Sequence, residues 1–209
     1  MCIEDHAMTN LSEKIIDIYE RRARDFDEDR ARSDRFMEKA WLDLFIDALP
    51  KGGAVLDIGC GSGQPIARYL VGQGLEITGV DSSNAMIAMC RERFPDHSFH
   101  MGDMRALDLN ATFDGLIAWD SFFHLTRDHQ RRMFPIFSKH AKPSAALLFT
   151  SGHKEGVAIG ALRDEALFHD SLSESEYRAL LEENGFEVLK YTAQDPDCGL
   201  HTVWLGKKS

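Results

Sequence analysis

Ala54-Val55-Leu56-Asp57-Ile58-Gly59-Cys60-Gly61-Ser62-Gly63-Gln64-Pro65 is the stretch whose reading decides the fold. The apolar run 54–58 reads as a buried parallel strand. Three glycines at alternate positions then make a tight turn against which a ligand can approach the backbone. Gln64-Pro65-Ile66-Ala67-Arg68 opens a helix, with Pro65 suited to its first turn. The unpaired N–H groups of that helix start can meet a polar or anionic ligand. A strand, a glycine turn and a helix make half of a nucleotide-binding unit. The spacing is not that of a dinucleotide site, because Gln64 stands where G-x-G-x-x-G places its last glycine. Asp57, two positions before the first glycine, repels a pyrophosphate but suits an ammonium or sulfonium group.

Composition narrows the class. The 209 residues carry 34 Asp+Glu against 24 Lys+Arg, a formal charge of -10, which argues against general binding to nucleic acid or an anionic membrane. Cys2, Cys60, Cys90 and Cys198 are scattered, so neither a zinc site nor a disulfide framework is expected, and no metal ligands are assigned. Neither a signal peptide nor an apolar run of membrane-spanning length is visible. A cytoplasmic protein is the expectation.

Taken in order, residues 1–10 read as a mobile tail. Asn10 and Glu13 form a box-like helix start, followed by Ile15, Tyr19, Ala23 and Phe26 at helical spacing. Residues 21–30 are so charged that they read as a break or a solvated stretch. A second helix is predicted over 33–49, with Pro50 behind it. Residues 1–50 thus form an N-terminal helical lid, and 51–209 one compact domain. Residues 75–80 read as the second strand, with Asp81 at its C-terminal end, the edge where open α/β sheets bind ligands. There its carboxylate can accept both ribose hydroxyls. Ser82 and Ser83 are free to cap the next helix, on which Met86 lies either under a ligand's ring or in the core. Residues 98–101 are a third strand, followed by Gly102-Asp103-Met104-Arg105. His97 and His100 point to opposite faces and make no metal pair. Residues 113–118 are a fourth strand, so Asp120 to His124 share the edge with Asp57, Asp81 and Asp103. Thr126 is placed to cap the next helix, Lys142-Pro143 reads as a turn, and 145–151 as strand five. Residues 152–169 read as a loop with two histidines bordering a substrate. Ser173 and Glu176 open another helix. Residues 186–191 and 201–205 alternate like an antiparallel hairpin.

The opening stretch resembles the first motif of the class I S-adenosylmethionine-dependent methyltransferases, D-x-G-x-G-x-G. The acidic stations Asp57, Asp81, Asp103 and Asp120 follow successive strands as they do in that family. The resemblance covers about residues 52–207. It implies an α/β, Rossmann-like fold: a seven-stranded, mostly parallel sheet with an antiparallel last strand and helices on both faces. It further implies S-adenosyl-L-methionine as co-substrate, met by Gly59, Cys60, Gly61 and Gly63 of the turn. Asp81 and Ser82 are expected at the ribose, with Met86 near the adenine. Asp103 is expected at the adenine amino group, the Met104 N–H at a ring nitrogen, and Asp57 and Asp120 near the methionine ammonium. Tyr19 matches a tyrosine that reaches the methionine part in small-molecule members. The amino-methylating nucleic-acid signature N/D-P-P-Y/F is absent. The expected activity is methyl transfer to an O, N or S nucleophile of a small molecule. His124 is the candidate base, or else a substrate-contacting or structural residue, with His153 and His201 as weaker candidates. A non-catalytic S-adenosylmethionine-binding module and a nicotinamide-dependent oxidoreductase are the alternatives. The acceptor's identity and the oligomeric state carry no signal in the sequence.

Overall fold

The computed structural model describes residues 3–32 and 36–209, with residues 3–10 and Arg32 through their backbone. Its elements in order are α1 (Ile3–Arg21), α2 (Ala23–Arg32), α3 (Lys39–Asp47), β1 (Ala54–Ile58), α4 (Ile66–Gly72), β2 (Glu76–Asp81), α5 (Asn84–Arg93), β3 (Ser98–Met101) and β4 (Phe113–Ala118). They continue with α6 (Arg127–His140), β5 (Ala141–Ser151), β6 (Ala158–Leu162), β7 (Glu165–His169), α7 (Glu174–Glu183), β8 (Phe186–Asp195) and β9 (His201–Lys208). Seven strands form one sheet in the order β3-β2-β1-β4-β5-β9-β8, and β6 and β7 pair separately. β1 is parallel to both β2 and β4, β2 to β3 and β4 to β5, while β9 runs antiparallel to β5 and β8. This is the sheet the sequence predicts. Chain order reverses between β1 and β4, which opens a crevice at the C-terminal ends of the parallel strands.

Strand periodicity divides the core between the two faces. Val55, Ile77, Ile117 and Leu148 pack with Trp41, Leu42 and Phe45 of α3 and with the apolar sides of α4 and α5. Leu56, Ile58, Leu116 and Phe149 face the other way, onto Met133, Phe134 and Phe137 of α6 and Tyr177 and Leu181 of α7. Ser83 caps α5 and Ser173 caps α7, each accepting a backbone N–H three residues on. Thr126 holds the N-cap position of α6, but its hydroxyl meets His129 instead of a backbone N–H.

Several expectations are corrected. α1 begins at Ile3, so Asn10 lies inside a helix and is not its cap; nothing in 3–9 is a glycine or proline that would stop it. The charged stretch 21–30 breaks only at Arg22, between α1 and α2; from Ala23 on it is the helix α2, whose charges pair outward. Arg93 donates to Asp27 at 2.5–2.6 Å, and Arg163 to Asp29 at 2.9–3.0 Å. The helix predicted over 33–49 starts only at Lys39; residues 33–35 lie outside the described residues. Lys142-Pro143 belongs to β5, where a register slip against β4 and a left-handed Ser144 (φ 65°) absorb the irregularity. Within the supposed loop 152–169, β6 and β7 form a hairpin. Its Leu162, Leu167 and Phe168 pack on Ile15 and Ile18 of α1. That burial comes from a helix about 150 residues away in sequence and leaves little local signal.

Candidate active site

The glycine turn hangs from the end of β2. The Gly59 and Cys60 N–H groups donate to the Val80 carbonyl at 2.7 and 3.1 Å, and the Gly61 N–H to Asp81 Oδ2 at 2.9 Å. Gly59 (φ 77°) and Gly61 (φ 53°) occupy the left-handed region, where a side chain is strained. At Gly59 a Cβ would also lie 2.3 Å from Ser121 Cβ. Ser121 cannot easily retreat, because its hydroxyl donates to the Ile58 carbonyl at 2.7 Å. Gly59→Ala is therefore expected to lower unfolding free energy by about 2–5 kcal/mol, summing left-handed strain and overpacking. Denaturant melts measure this.

One cavity receives nearly every residue singled out in the sequence. Tyr19, Asp57, Gly59, Cys60, Gly61, Asp81, Ser82, Met86, Asp103, Met104, Asp120 and His124 all line it. Gly63 does not; it is left-handed too (φ 76°), and a Cβ there would lie 2.7 Å from the Phe94 ring, so this glycine serves the turn and its packing. α1 and α2 roof the cavity with Ile15, Tyr19, Phe26 and Arg30.

The electrostatics of its floor are uneven. Asp57 is 2% exposed, and burial, reinforced by neighbouring Asp81, pushes its carboxyl up to about 7. Asp81 is also pushed up by burial, although its Oδ1 and Oδ2 accept the Ser83 and Gly61 N–H groups at 2.8 and 2.9 Å. Each Asp81 oxygen keeps a lone pair for a ligand. Asp103 differs from expectation: both its oxygens already accept from the Arg105 guanidinium, and Oδ1 also takes the Arg105 N–H at 2.9 Å. Burial opposes its ionisation, but those bonds hold the carboxyl below the usual range. An adenine amino group here would have to share the carboxylate with Arg105. Asp120 sits just past β4 in a left-handed conformation (φ 47°), held by Thr150, whose hydroxyl accepts its N–H at 2.8 Å. His201 Nε2 lies 3.0–3.1 Å from the Asp120 carboxylate oxygens, while Nδ1 faces the Cys198 carbonyl at 2.7 Å. Both ring nitrogens of His201 therefore face acceptors. Burial works the other way, but Asp120 raises His201 above the ordinary imidazole range.

His124 reaches the cavity, but not as a free base. Its Nδ1 faces the Phe168 carbonyl at 2.8 Å, and its Nε2 lies 3.0 Å from the Tyr19 hydroxyl. The carbonyl can only accept, so Nδ1 carries the proton and Nε2 accepts from Tyr19. Burial pushes His124 down to about 4. Burial, then Asp120 and Asp81, push the Tyr19 phenol upward, so both partners are neutral at pH 7.

The sequence reading missed three contributors. Glu20 accepts the Ser83 hydroxyl at 2.6 Å and the Ala85 N–H at 3.1 Å, tying α1 to the start of α5. Arg30 lines the cavity and pairs with buried Glu38. Trp119 also lines it, and its buried Nε1 has no hydrogen-bond partner among the described residues. These are single side chains from helices or a strand end, with no motif spacing to mark them. A second cavity of about 580 Å³ adjoins the first at Asp120 and is lined by Phe123, His153, Lys154, His169 and His201. The sequence-proposed candidates His153 and His201 lie there, away from His124.

Residues 55–144 match the family described as "Methyltransferase domain". A dTDP-4-amino-2,3,4,6-tetradeoxy-D-glucose N,N-dimethyltransferase of Saccharopolyspora spinosa is 24% identical over 155 residues, 71% of this chain and 61% of the relative. The chain thus spans about three fifths of that relative's length. The O-methyltransferase rstn1 of Aspergillus nomiae is 26% identical over 158 residues, 68% of each chain. Among solved structures, the S-adenosylmethionine-bound amino pentose methyltransferase CalS10 of Micromonospora echinaspora superposes with a TM-score of 0.67 at 18% identity, covering 88% of this chain and 95% of its own. A methyltransferase of Clostridium acetobutylicum gives 0.68 at 15% identity, covering 94% and 98%. The shared sheet order is that of a Rossmann-like methyltransferase fold, and most of the glycine turn's strand and loop lies inside the stretch that matches the methyltransferase-domain family.

Proposed function

We propose that this protein transfers a methyl group from S-adenosylmethionine to an O, N or S nucleophile of a small molecule. The observation that carries the reading is the pair of carboxyls on the cavity floor beside a glycine turn, Asp57 buried and Asp81 half-buried, each pushed up by desolvation. Bringing like charges together in a buried site is unfavourable until a cation or hydroxyl donors arrive. The remaining donors fit the group as well. Trp119 Nε1 is an orphaned buried donor, and Arg30 keeps N–H groups beyond its bond to Glu38, so both suit a carboxylate. Asp81 would hold the ribose hydroxyls, with Ser82 beside it, and Asp57 and Asp120 would stand towards the ammonium. The Met104 N–H and a shared Asp103 would meet the adenine, with Met86 beneath it.

S-adenosylmethionine, when bound, supplies an electrophilic methyl carbon. The protein's task is to hold a nucleophile in line at ~3–3.5 Å with water excluded. α1 and α2 serve as the lid that excludes it, fastened by Glu20 to α5 and by Asp27 to Arg93. Tyr19, oriented by His124, presents its hydroxyl oxygen towards the reacting space. The second cavity, meeting the first at Asp120, would receive the acceptor. The relatives named as amino-sugar N,N-dimethyltransferases and O-methyltransferases support a small-molecule acceptor over a nucleic acid or a membrane. No helix among the described residues is long and apolar enough to cross a membrane. The buried free thiols of Cys60, Cys90 and Cys198 suit a reducing, cytoplasmic setting. Incubation with methyl-labelled S-adenosylmethionine and a cell metabolite extract tests the reading. Label is expected in a low-mass product; binding without any transfer would leave a non-catalytic module instead.

A further inference from the structure

Four histidines line the two cavities, and their partners sort them. His124 has both ring nitrogens committed, to Phe168 and Tyr19. His201 has both directed at acceptors, Cys198 and Asp120, so it keeps no free lone pair. His129 is bonded to Thr126 outside this space, and His153 is exposed. His169, at the end of β7, is half-buried, and no hydrogen bond holds its ring nitrogens among the described residues. Its ring centroid lies 4.9 Å from that of His124 and 4.8 Å from that of Phe123, both edge-on. It lines the second cavity, whereas His124 lines the first, so the two rings meet where the cavities adjoin.

The backbone has been shaped to admit this ring. Gly160 is the diagonal cross-strand neighbour of His169, whose direct partner is Ala158, and a Cβ on Gly160 would come within 2.5 Å of the imidazole Cε1 and 3.0 Å of Nε2. The φ of Gly160 is not in the left-handed region, so its missing side chain serves space and not backbone conformation.

We propose that His169 is the catalytic base of the acceptor half of the site, and that the acceptor's nucleophile is one that must lose a proton, a hydroxyl or an ammonium. The inference rests on the methyl-transfer reading above. As the nucleophile's electron pair forms the bond to the methyl carbon, the S–CH3 pair returns to sulfur. The nucleophile's proton passes to the unpartnered nitrogen of His169, giving an imidazolium and a neutral sulfide. The imidazolium would then stand near the Asp120 carboxylate and lose its proton through the open second cavity. Charge and proton balance without an added reactant. Asp120 beyond β4, His124 in the turn after it, His153, Lys154 and Glu155 beyond β5, and His201 at the start of β9 are the titratable groups around this space. Burial lowers His169 below the ordinary imidazole range while Asp120 opposes it, which leaves the ring neutral and receptive at pH 7.

Three measurements on the full chain test this. Transfer of labelled methyl into a cell metabolite extract is compared for wild type, His169→Gln and Gly160→Ala, alongside S-adenosylhomocysteine affinity by calorimetry. His169→Gln is expected to lose roughly a hundredfold in transfer or more, with product affinity unchanged. The acid limb of the wild-type profile, below the ordinary imidazole range, should vanish. Gly160→Ala, which keeps the imidazole but displaces it, should lose transfer in part and covers the case in which the first variant fails to fold. Diethyl pyrocarbonate with peptide mass mapping gives a readout independent of turnover: His169 should react before His124 and His201. Transfer by His169→Gln close to wild type, loss of product affinity in parallel with turnover, or protection of His169 from the reagent would each overturn the proposal. A wild type that binds the product yet transfers no label overturns the methyl-transfer reading first, and this inference with it.

Discussion

Asp81→Ala is expected to weaken S-adenosylhomocysteine binding by roughly a hundredfold or more, since each hydrogen bond to a charged acceptor contributes about 1.5–3 kcal/mol and two ribose hydroxyls are at stake. The substitution also strips the Gly61 and Ser83 N–H groups of their acceptors, loosening the glycine turn and the start of α5 together. Asp81→Asn separates the two effects. Its remaining oxygen can accept one of those N–H groups but not serve both and a diol, so an intermediate affinity is expected. Calorimetry on the three proteins measures the series. An alanine variant with affinity near that of wild type would remove Asp81 from the ribose site.

The second large effect concerns Tyr19 and His124. Either Tyr19→Phe or His124→Ala breaks the 3.0 Å bond between them, leaving the buried His124 Nε2 or the half-buried Tyr19 hydroxyl unpaired. An unpaired buried group of this kind costs about 1–3 kcal/mol. If the pair acts as one unit on the reacting centre, each single variant should lower turnover by roughly tenfold to a hundredfold, and the double variant little further, a coupling within the ~0.5–3 kcal/mol seen for contacting residues. Product affinity should change far less than turnover in all three. Multiplying losses in the double variant would show two independent roles and contradict the arrangement described for His124.

The two halves of the site differed in how far they could be read from the chain. β1, β2 and β4 announce themselves because buried parallel strands are short apolar runs, and a glycine turn or an acid closes each of them. Asp57, Asp81 and Asp120 were legible because position after a strand already fixes the edge they occupy. Asp103 was placed correctly, but its partner Arg105, two residues on, changes what the carboxylate has left to offer. The break at Arg22 is legible in the charge, but the helix α2 beyond it is not, because its ion-pair partners Arg93 and Arg163 lie 66 and 134 residues away. The same holds for β6 and β7, whose apolar residues find their cover on α1. The sequence favours His124 by its place after the fourth strand and leaves His169 at the end of a supposed loop. Only the folded chain shows that one has both nitrogens occupied and the other has neither.

The measurement closest to the central claim is calorimetric titration of the ligand-free protein with S-adenosylhomocysteine at pH 7, repeated in buffers of different ionisation heat. Asp57, with its carboxyl near 7, is partly protonated before binding. An ammonium arriving beside it lowers that value, so a fraction of a proton should be released on binding, and Asp57→Asn should abolish the release. The account predicts saturable heat with this buffer dependence and none with NADH. Absence of binding heat from the nucleoside, or equal heat from NADH, would contradict it.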